Sequence, residues 1–263
     1  MNYTEYFLKC RKVYDQTSES TLENFYDNPV IEVPVDDFHS SYKEAVFDVS
    51  DKVKIDLDRE IQEGVMINHN NPWKFDNELT TICNQLVPFL EEYRFGCHLY
   101  VDKVYIYRTC KCDRSSSYLW HYDNNPKEVV KNIIYLNDVS DDNSPFEYLV
   151  NDKGLGIIVP PTRFGSAPGE WTAAPNNSRV TQSQIDALFS QGYNSERVCG
   201  PIGTTYSFSN DAVHRANPVV IGYRDVINIR VKPTLNKLSN YIDKKYTTSF
   251  ETNGAVNPNP EVK

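Results

Sequence analysis

Residues 222–231 read GYRDVINIRV, and their alternation decides the architecture. Side chains along an extended strand point to opposite faces in turn. Arg224, Val226, Asn228 and Arg230 therefore share one face, and Ile227, Ile229 and Val231 share the other. The apolar face predicts a core against covering helices or a second sheet. The mixed face predicts the wall of a polar cavity. Runs of the same character come before it: YVDKVYIYRT (100–109), KNIIYLNDV (131–139), FEYLV (146–150), GIIVP (156–160) and GTTYSFS (203–209). Turn-forming residues separate many of them, which predicts a mainly β antiparallel sandwich or barrel.

Outward from this core, Tyr3, Phe7, Cys10 and Tyr14 recur at helical spacing, and Leu79, Ile82, Leu86, Phe89, Leu90 and Tyr93 form a second stripe. Pro88 lies inside that stripe and is expected to kink or divide the helix. The stretch 25–75 reads as irregular, broken by Pro29, Pro34, Gly64 and Pro72. Thr181 and Gln184 make a capping box for TQSQIDALFSQG, Val180 and Ile185 can staple it, and Gly192 closes it. These features predict one domain over 1–249, comprising helical and irregular support (1–99), a β core (100–233) and a C-terminal extension (234–249). The remainder, 250–263, holds little apolar content and reads as a flexible tail.

The chain has 263 residues, a net charge of -9, 18 tyrosines and 12 phenylalanines. That length supports one substantial core. The negative charge argues against a nucleic-acid partner, and no apolar run approaches the roughly 20 residues of a membrane helix. The six cysteines lack paired CxxC spacing and read as free thiols of a reducing compartment, so cytoplasmic residence is expected. Oligomeric state is not legible.

The chemistry concentrates at His121-Tyr122-Asp123. An i,i+2 pair on an extended segment presents imidazole and carboxylate to one point. A third ligand must come from elsewhere, and among the five histidines His214, in FSNDAVHRANP, has the most suitable setting between two strand-like runs. Two histidines and one carboxylate form the facial set used by oxygen-activating non-heme iron, with open positions for a bidentate cosubstrate and dioxygen. Arg224, on the mixed face ten residues beyond His214, can grip a carboxylate through two parallel charged hydrogen bonds.

With these residues in view, the stretch 100–233 resembles the Fe(II)/2-oxoglutarate-dependent dioxygenases of the phytanoyl-CoA hydroxylase-like family. The landmarks are LWHYD (119–123), NIIYLNDVSDDNSPFEYL (132–149), GPIGTTYSFSNDAVHRANP (200–218) and GYRDVINIRV (222–231). The resemblance implies a double-stranded β-helix (a cupin-like jelly roll), iron on His121, Asp123 and His214, and the distal carboxylate of 2-oxoglutarate on Arg224. It also implies consumption of O2, release of succinate and CO2, and hydroxylation of a small metabolite or natural-product intermediate. The presence of Asp123 favours hydroxylation over halogenation. VNDKGLG follows FEYL here, where many members carry a Pro-Gly-Ser-His element.

Around this centre, Asn132, Tyr135 and Arg108 are candidates to hold the cosubstrate. Arg163, Trp171 and Arg179, within a long loop at 151–180 read as a lid, and Arg230 are candidates to meet substrate. Arg230 alternatively meets an internal acid. Two other readings keep the metal site: a cupin-like binding module without turnover, and an iron oxygenase that uses no oxoacid. Hydrolytic zinc chemistry would leave Arg224 without a purpose.

Overall fold

The computed structural model describes residues 3–14, 25–59, 66–111, 118–123, 125–158 and 178–249. Three layers position the site. The largest is a six-stranded antiparallel sheet in the order β1-β7-β4-β9-β3-β2, formed by β1 (Val30–Glu32), β2 (Met66–Asn68), β3 (His98–Thr109), β4 (Val130–Tyr135), β7 (Thr205–Ser209) and β9 (Arg224–Thr234). A three-stranded sheet, β6-β5-β8, is made from β5 (Phe146–Val150), β6 (Asn194–Val198) and β8 (His214–Ala216). Helices form the third layer.

The alternation in β9 partitions the core as expected. Ile227, Ile229 and Val231 join Val104, Ile106, Val130 and Ile134 on the outer face of the large sheet, packed against the helices Tyr3–Val13, Ser40–Arg59 and Asp76–Leu90. Between the sheets, Ile133, Tyr135, Tyr206, Phe208 and Val226 meet Phe146, Tyr148 and Val198. Sheet against sheet, with helices closing the far side of the larger one, is a double-stranded β-helix with N-terminal covering helices.

Three local readings need correction. The segment 25–75 is not irregular: it holds β1, β2 and the 20-residue helix Ser40–Arg59. Tyr42, Ala45, Val46, Val49, Val53 and Leu57 form its buried stripe at helical spacing, and the prolines and glycine that suggested a broken segment all lie outside it. Pro88 does not divide the helix Asp76–Leu90. The chain stays helical past it, and the winding loosens into a π turn at Glu91–Phe95, ended by Gly96 at φ 59°. GIIVP forms isolated bridges at Gly156 and Ile158, and its last residues lie outside those described. The capping box at Thr181 is present: Gln184 N–H donates to the threonine hydroxyl, and Thr181 N–H donates to the glutamine side chain. The helix it starts spans Gln182–Ser190.

Arg108, expected to hold a cosubstrate, is turned away from the space between the sheets. It shares its face of β3 with Val104 and Ile106, the helix-packed side. There its Nε and Nη2 donate to the two carboxylate oxygens of Asp225 at 2.7 and 2.8 Å, its Nη1 pairs with Asp58, and the guanidinium lies over the Tyr223 ring. Asp225 is 2% exposed and Arg108 6%, so removing one partner strands a buried charge. Asp225→Ala should destabilise the fold by about 3 kcal/mol. Urea unfolding measures this, and a loss below about 1 kcal/mol would show that Asp58 and the Tyr223 ring suffice.

Candidate metal centre

His121 and His214 are neighbours through their backbones. The N–H of each donates to the carbonyl of the other, at 2.9 and 2.8 Å, in an antiparallel bridge. His121 also bridges Arg179 on its other side. Residues 120–123 and 178–180 thereby extend the small sheet beyond β8. Asp123 N–H donates to Asn210 O at 2.8 Å, two residues out of that register, which ties the segment to the turn after β7. With period two, the side chains of His121 and Asp123 fall on the face that meets the large sheet.

The result is a compact donor set. One ligand atom from each of His121, Asp123 and His214 lies within 4.8 Å of the others, and these three form the potential metal-holding group among the described residues. Each imidazole Nε2 is 3.9 Å from a carboxylate oxygen of Asp123. His121 Nδ1 donates to Leu119 O and His214 Nδ1 donates to Ala212 O, both at 2.7 Å. A carbonyl only accepts, so both rings carry their proton on Nδ1 and turn a bare Nε2 inward, as a metal ligand requires.

Electrostatics agree with that protonation. Burial pushes His121 down to about 3, reinforced by His214 and opposed by Asp123. His214 is lowered chiefly by burial, against the pull of Asp123. Burial raises the Asp123 carboxyl, but Lys131 and the two imidazoles outweigh it and hold the group below its usual range. Lys131 Nζ lies 2.6 Å from Asp123 Oδ2. Sequence reasoning missed Lys131, because β4 carries an isoleucine on each face and its parity alone marks neither as the inner one.

The triad opens onto a cavity of about 180 Å³ lined by, among others, Tyr105, Tyr107, Tyr118, Phe146, Tyr206, Phe208, Asn228 and Arg224. Arg224 is 5% exposed, and its Nη2 makes one long contact, 3.4 Å, to Thr109 Oγ1. Its Nε and Nη1 are buried with no hydrogen-bond partner. Two unsatisfied guanidinium nitrogens beside this cavity leave donors that an anion could take up, since leaving such donors bare costs about 1–3 kcal/mol each.

The other candidates divide. Tyr135 lies on the same face of β4 as Lys131 and Ile133, and its hydroxyl donates to Val198 O and accepts from Phe146 N–H. Asn132 is a correction: it points to the helix side with Ile134, and its amide donates to Ile229 O. Arg230 does meet an internal acid, giving Nε and Nη2 to the fully buried Asp102. Arg179 sits beside His121 and its charge acts on both imidazoles. Arg163 and Trp171 lie outside the described residues, as does most of the expected lid. Trp120 packs with Leu149, Ile185 and Val213, away from the cavity.

No protein-family model matches the chain, and no curated protein matches it significantly. Solved structures do. HygX from Streptomyces hygroscopicus, with nickel and 2-oxoglutarate bound, aligns at TM-score 0.51 and 13% identity, over 84% of this chain and 89% of that one. The non-heme alpha ketoglutarate dependent carbocyclase SnoK from nogalamycin biosynthesis aligns at TM-score 0.53 and 11% identity, over 95% of this chain and 96% of that one. At such identities the likeness establishes the fold: a cupin-like double-stranded β-helix with N-terminal helices.

The buried neutral imidazoles carry a pH signature. Unfolded histidine titrates near its ordinary value of 6.5, whereas His121 in the fold titrates near 3. Below 6.5 the unfolded chain takes up protons that the folded chain refuses, so stability is complete above about 6.5 and falls towards 3. With chelator present, the thermal midpoint should decline between pH 7 and pH 4.5, and His121→Ala should flatten part of that decline. An equal slope in both proteins would place the titrating group elsewhere.

Proposed function

We propose that this chain is an Fe(II)- and 2-oxoglutarate-dependent oxygenase that hydroxylates a C–H bond of a small molecule, with release of succinate and CO2. The observation that carries this reading is the pairing, within one cavity, of a two-histidine, one-carboxylate donor set with a buried arginine whose Nε and Nη1 have no partner. A metal hydrolase needs the first and has no use for the second. The structural neighbours add support: one was solved with 2-oxoglutarate, and the other is described as alpha ketoglutarate dependent.

When bound, iron with 2-oxoglutarate supplies the dioxygen-derived oxidant for an unactivated C–H bond. The chain's own residues do the rest. His121 and His214 offer Nε2, held in that tautomer by backbone carbonyls. Lys131 occupies Oδ2 of Asp123 and leaves Oδ1 the freer oxygen for a metal. Arg224 takes the distal carboxylate of the cosubstrate through its unsatisfied nitrogens, beside Thr109. Phe146, Tyr206 and Phe208 pack together along this path and give it an apolar wall, which strengthens each charged contact beside it. Arg179 bridges His121 in the extended small sheet, and its charge acts on both imidazoles.

The test is succinate formation by protein reconstituted with Fe(II) under anaerobic conditions, then given 2-oxoglutarate, oxygen and a metabolite library. Succinate should rise with the right substrate. His214→Ala should abolish it and sharply weaken binding of Fe(II), measured by titration. Succinate formation in that variant with iron still bound would refute the ligand assignment. Arg224→Ala should weaken 2-oxoglutarate by about 10–100-fold, the worth of charged hydrogen bonds of about 1.5–3 kcal/mol. An unchanged affinity removes Arg224 from this role.

A further inference from the structure

The inner face of the large sheet carries a second concentration of charge that the cosubstrate does not use. In register across the sheet, Phe208 of β7 pairs Lys131 of β4, Lys131 pairs Arg230 of β9, and Arg230 pairs Lys103 of β3. Neighbouring strands are about 4.8 Å apart, so three cations stand in a row spanning roughly 10 Å. Lys232 lies one step further along the same face of β9 and pairs with Asp102 at 2.8 Å. Among the described residues, four cations here meet two carboxylates, Asp102 and Asp123.

Like charges opposite one another across strands destabilise a sheet, and neighbouring acids offset part of that here. A β-bulge places Asp102 beside it, between Val101 and Lys103, where its carboxylate holds Arg230 and Lys232. Lys103 extends over the Tyr105 ring at 5.8 Å. Burial and then Arg230 push the Lys103 ammonium down to about 8, with Lys232 and Lys131 adding and Asp102 opposing. The crowding of positive charge is therefore felt at Lys103 itself.

The row also adjoins the reaction site. Lys131 lines the cavity and touches Asp123, and Tyr105 and Asn228, the next residues inward along β3 and β9, line the same cavity. Arg224 lies at the other end, six residues before Arg230 on one strand. The face thus has two cationic ends, and one diacid cosubstrate with its head on the metal needs only Arg224.

We propose that the row Lys131–Arg230–Lys103 is the subsite for an anionic group, carboxylate or phosphate, of the small-molecule substrate. The Lys103 ammonium makes the contact, Arg230 supplies fixed charge from its seat on Asp102, and the aromatic lining receives the body of the molecule beside the metal triad. What then happens to the ligand rests on the oxygenase reading; the anion subsite does not.

The probes are phenylacetate and phenyl phosphate, with benzyl alcohol as the neutral match. Each is titrated calorimetrically into intact protein loaded with Fe(II) and saturating 2-oxoglutarate under nitrogen. At least one anion should bind tenfold or more tighter than benzyl alcohol, and the pair separates a carboxylate from a phosphate preference. Lys103→Met should weaken the anion at least fivefold, Lys103→Arg should restore it, and Lys153→Met on a distant turn should leave it as in the wild type. Equal binding of anionic and neutral probes by the wild-type protein, or wild-type anion affinity in Lys103→Met, overturns the proposal. The comparison within wild-type protein decides even where the methionine variant does not fold. Loading with Fe(II) and 2-oxoglutarate is followed separately by the visible charge-transfer band of the chelate. Absence of that band counts against the oxygenase reading alone.

Discussion

Everything at the centre depends on one reciprocal pair of backbone hydrogen bonds, between His121 and His214. A closely paired antiparallel couple holds its Cα atoms about 5.5 Å apart and sends both side chains to the same side. That brings together two imidazoles ninety-three positions apart in the chain, with ring centroids at 4.3 Å. Asp123 follows by period two, so three ligands need only one long-range pairing. The small sheet is therefore more than a cover over the large one: its edge is the metal-holding element.

The large sheet contributes by dividing its faces. On β9 the odd positions Ile227, Ile229 and Val231 bury apolar area against helices, while Arg224, Asn228 and Arg230 face the inter-sheet space. A guanidinium can stand there at 5% exposure because the helix-packed face supplies the stability that a buried charge subtracts. The same division disposes of Arg108 and Asn132. Both lie on the helix-facing parity, where Arg108 donates to Asp225 and the Asn132 amide N–H donates to Ile229 O, so they serve the scaffold.

Legibility in the sequence followed physical signal strength. Strands β3, β4, β5, β7 and β9 declare themselves through β-branched and aromatic runs, and the triad through residue chemistry plus the placement of His214 between two such runs. β6, NSERV, is polar with three exposed positions, and nothing in its composition marks a strand. The helix Ser40–Arg59 was legible in Tyr42, Val46, Val49, Val53 and Leu57, yet nearby prolines and glycine suggested a broken segment. Parity was the harder problem. Lys131 and Asn132 are adjacent, and only knowledge of which β4 face meets the small sheet separates a residue touching Asp123 from one bonded to the scaffold. On β3 that parity was readable, since Arg108 keeps company with Val104 and Ile106.

Each metal-facing imidazole is oriented by a carbonyl two residues earlier on its own segment, Leu119 for His121 and Ala212 for His214. Ring orientation is thus set first by local main chain, and Phe146 and Phe208 pack against the His214 ring as well. Exchanging a tyrosine elsewhere in the chamber leaves both of these backbone hydrogen bonds in place. The donor set thus keeps its tautomers by local means while the shape of the chamber remains open to revision.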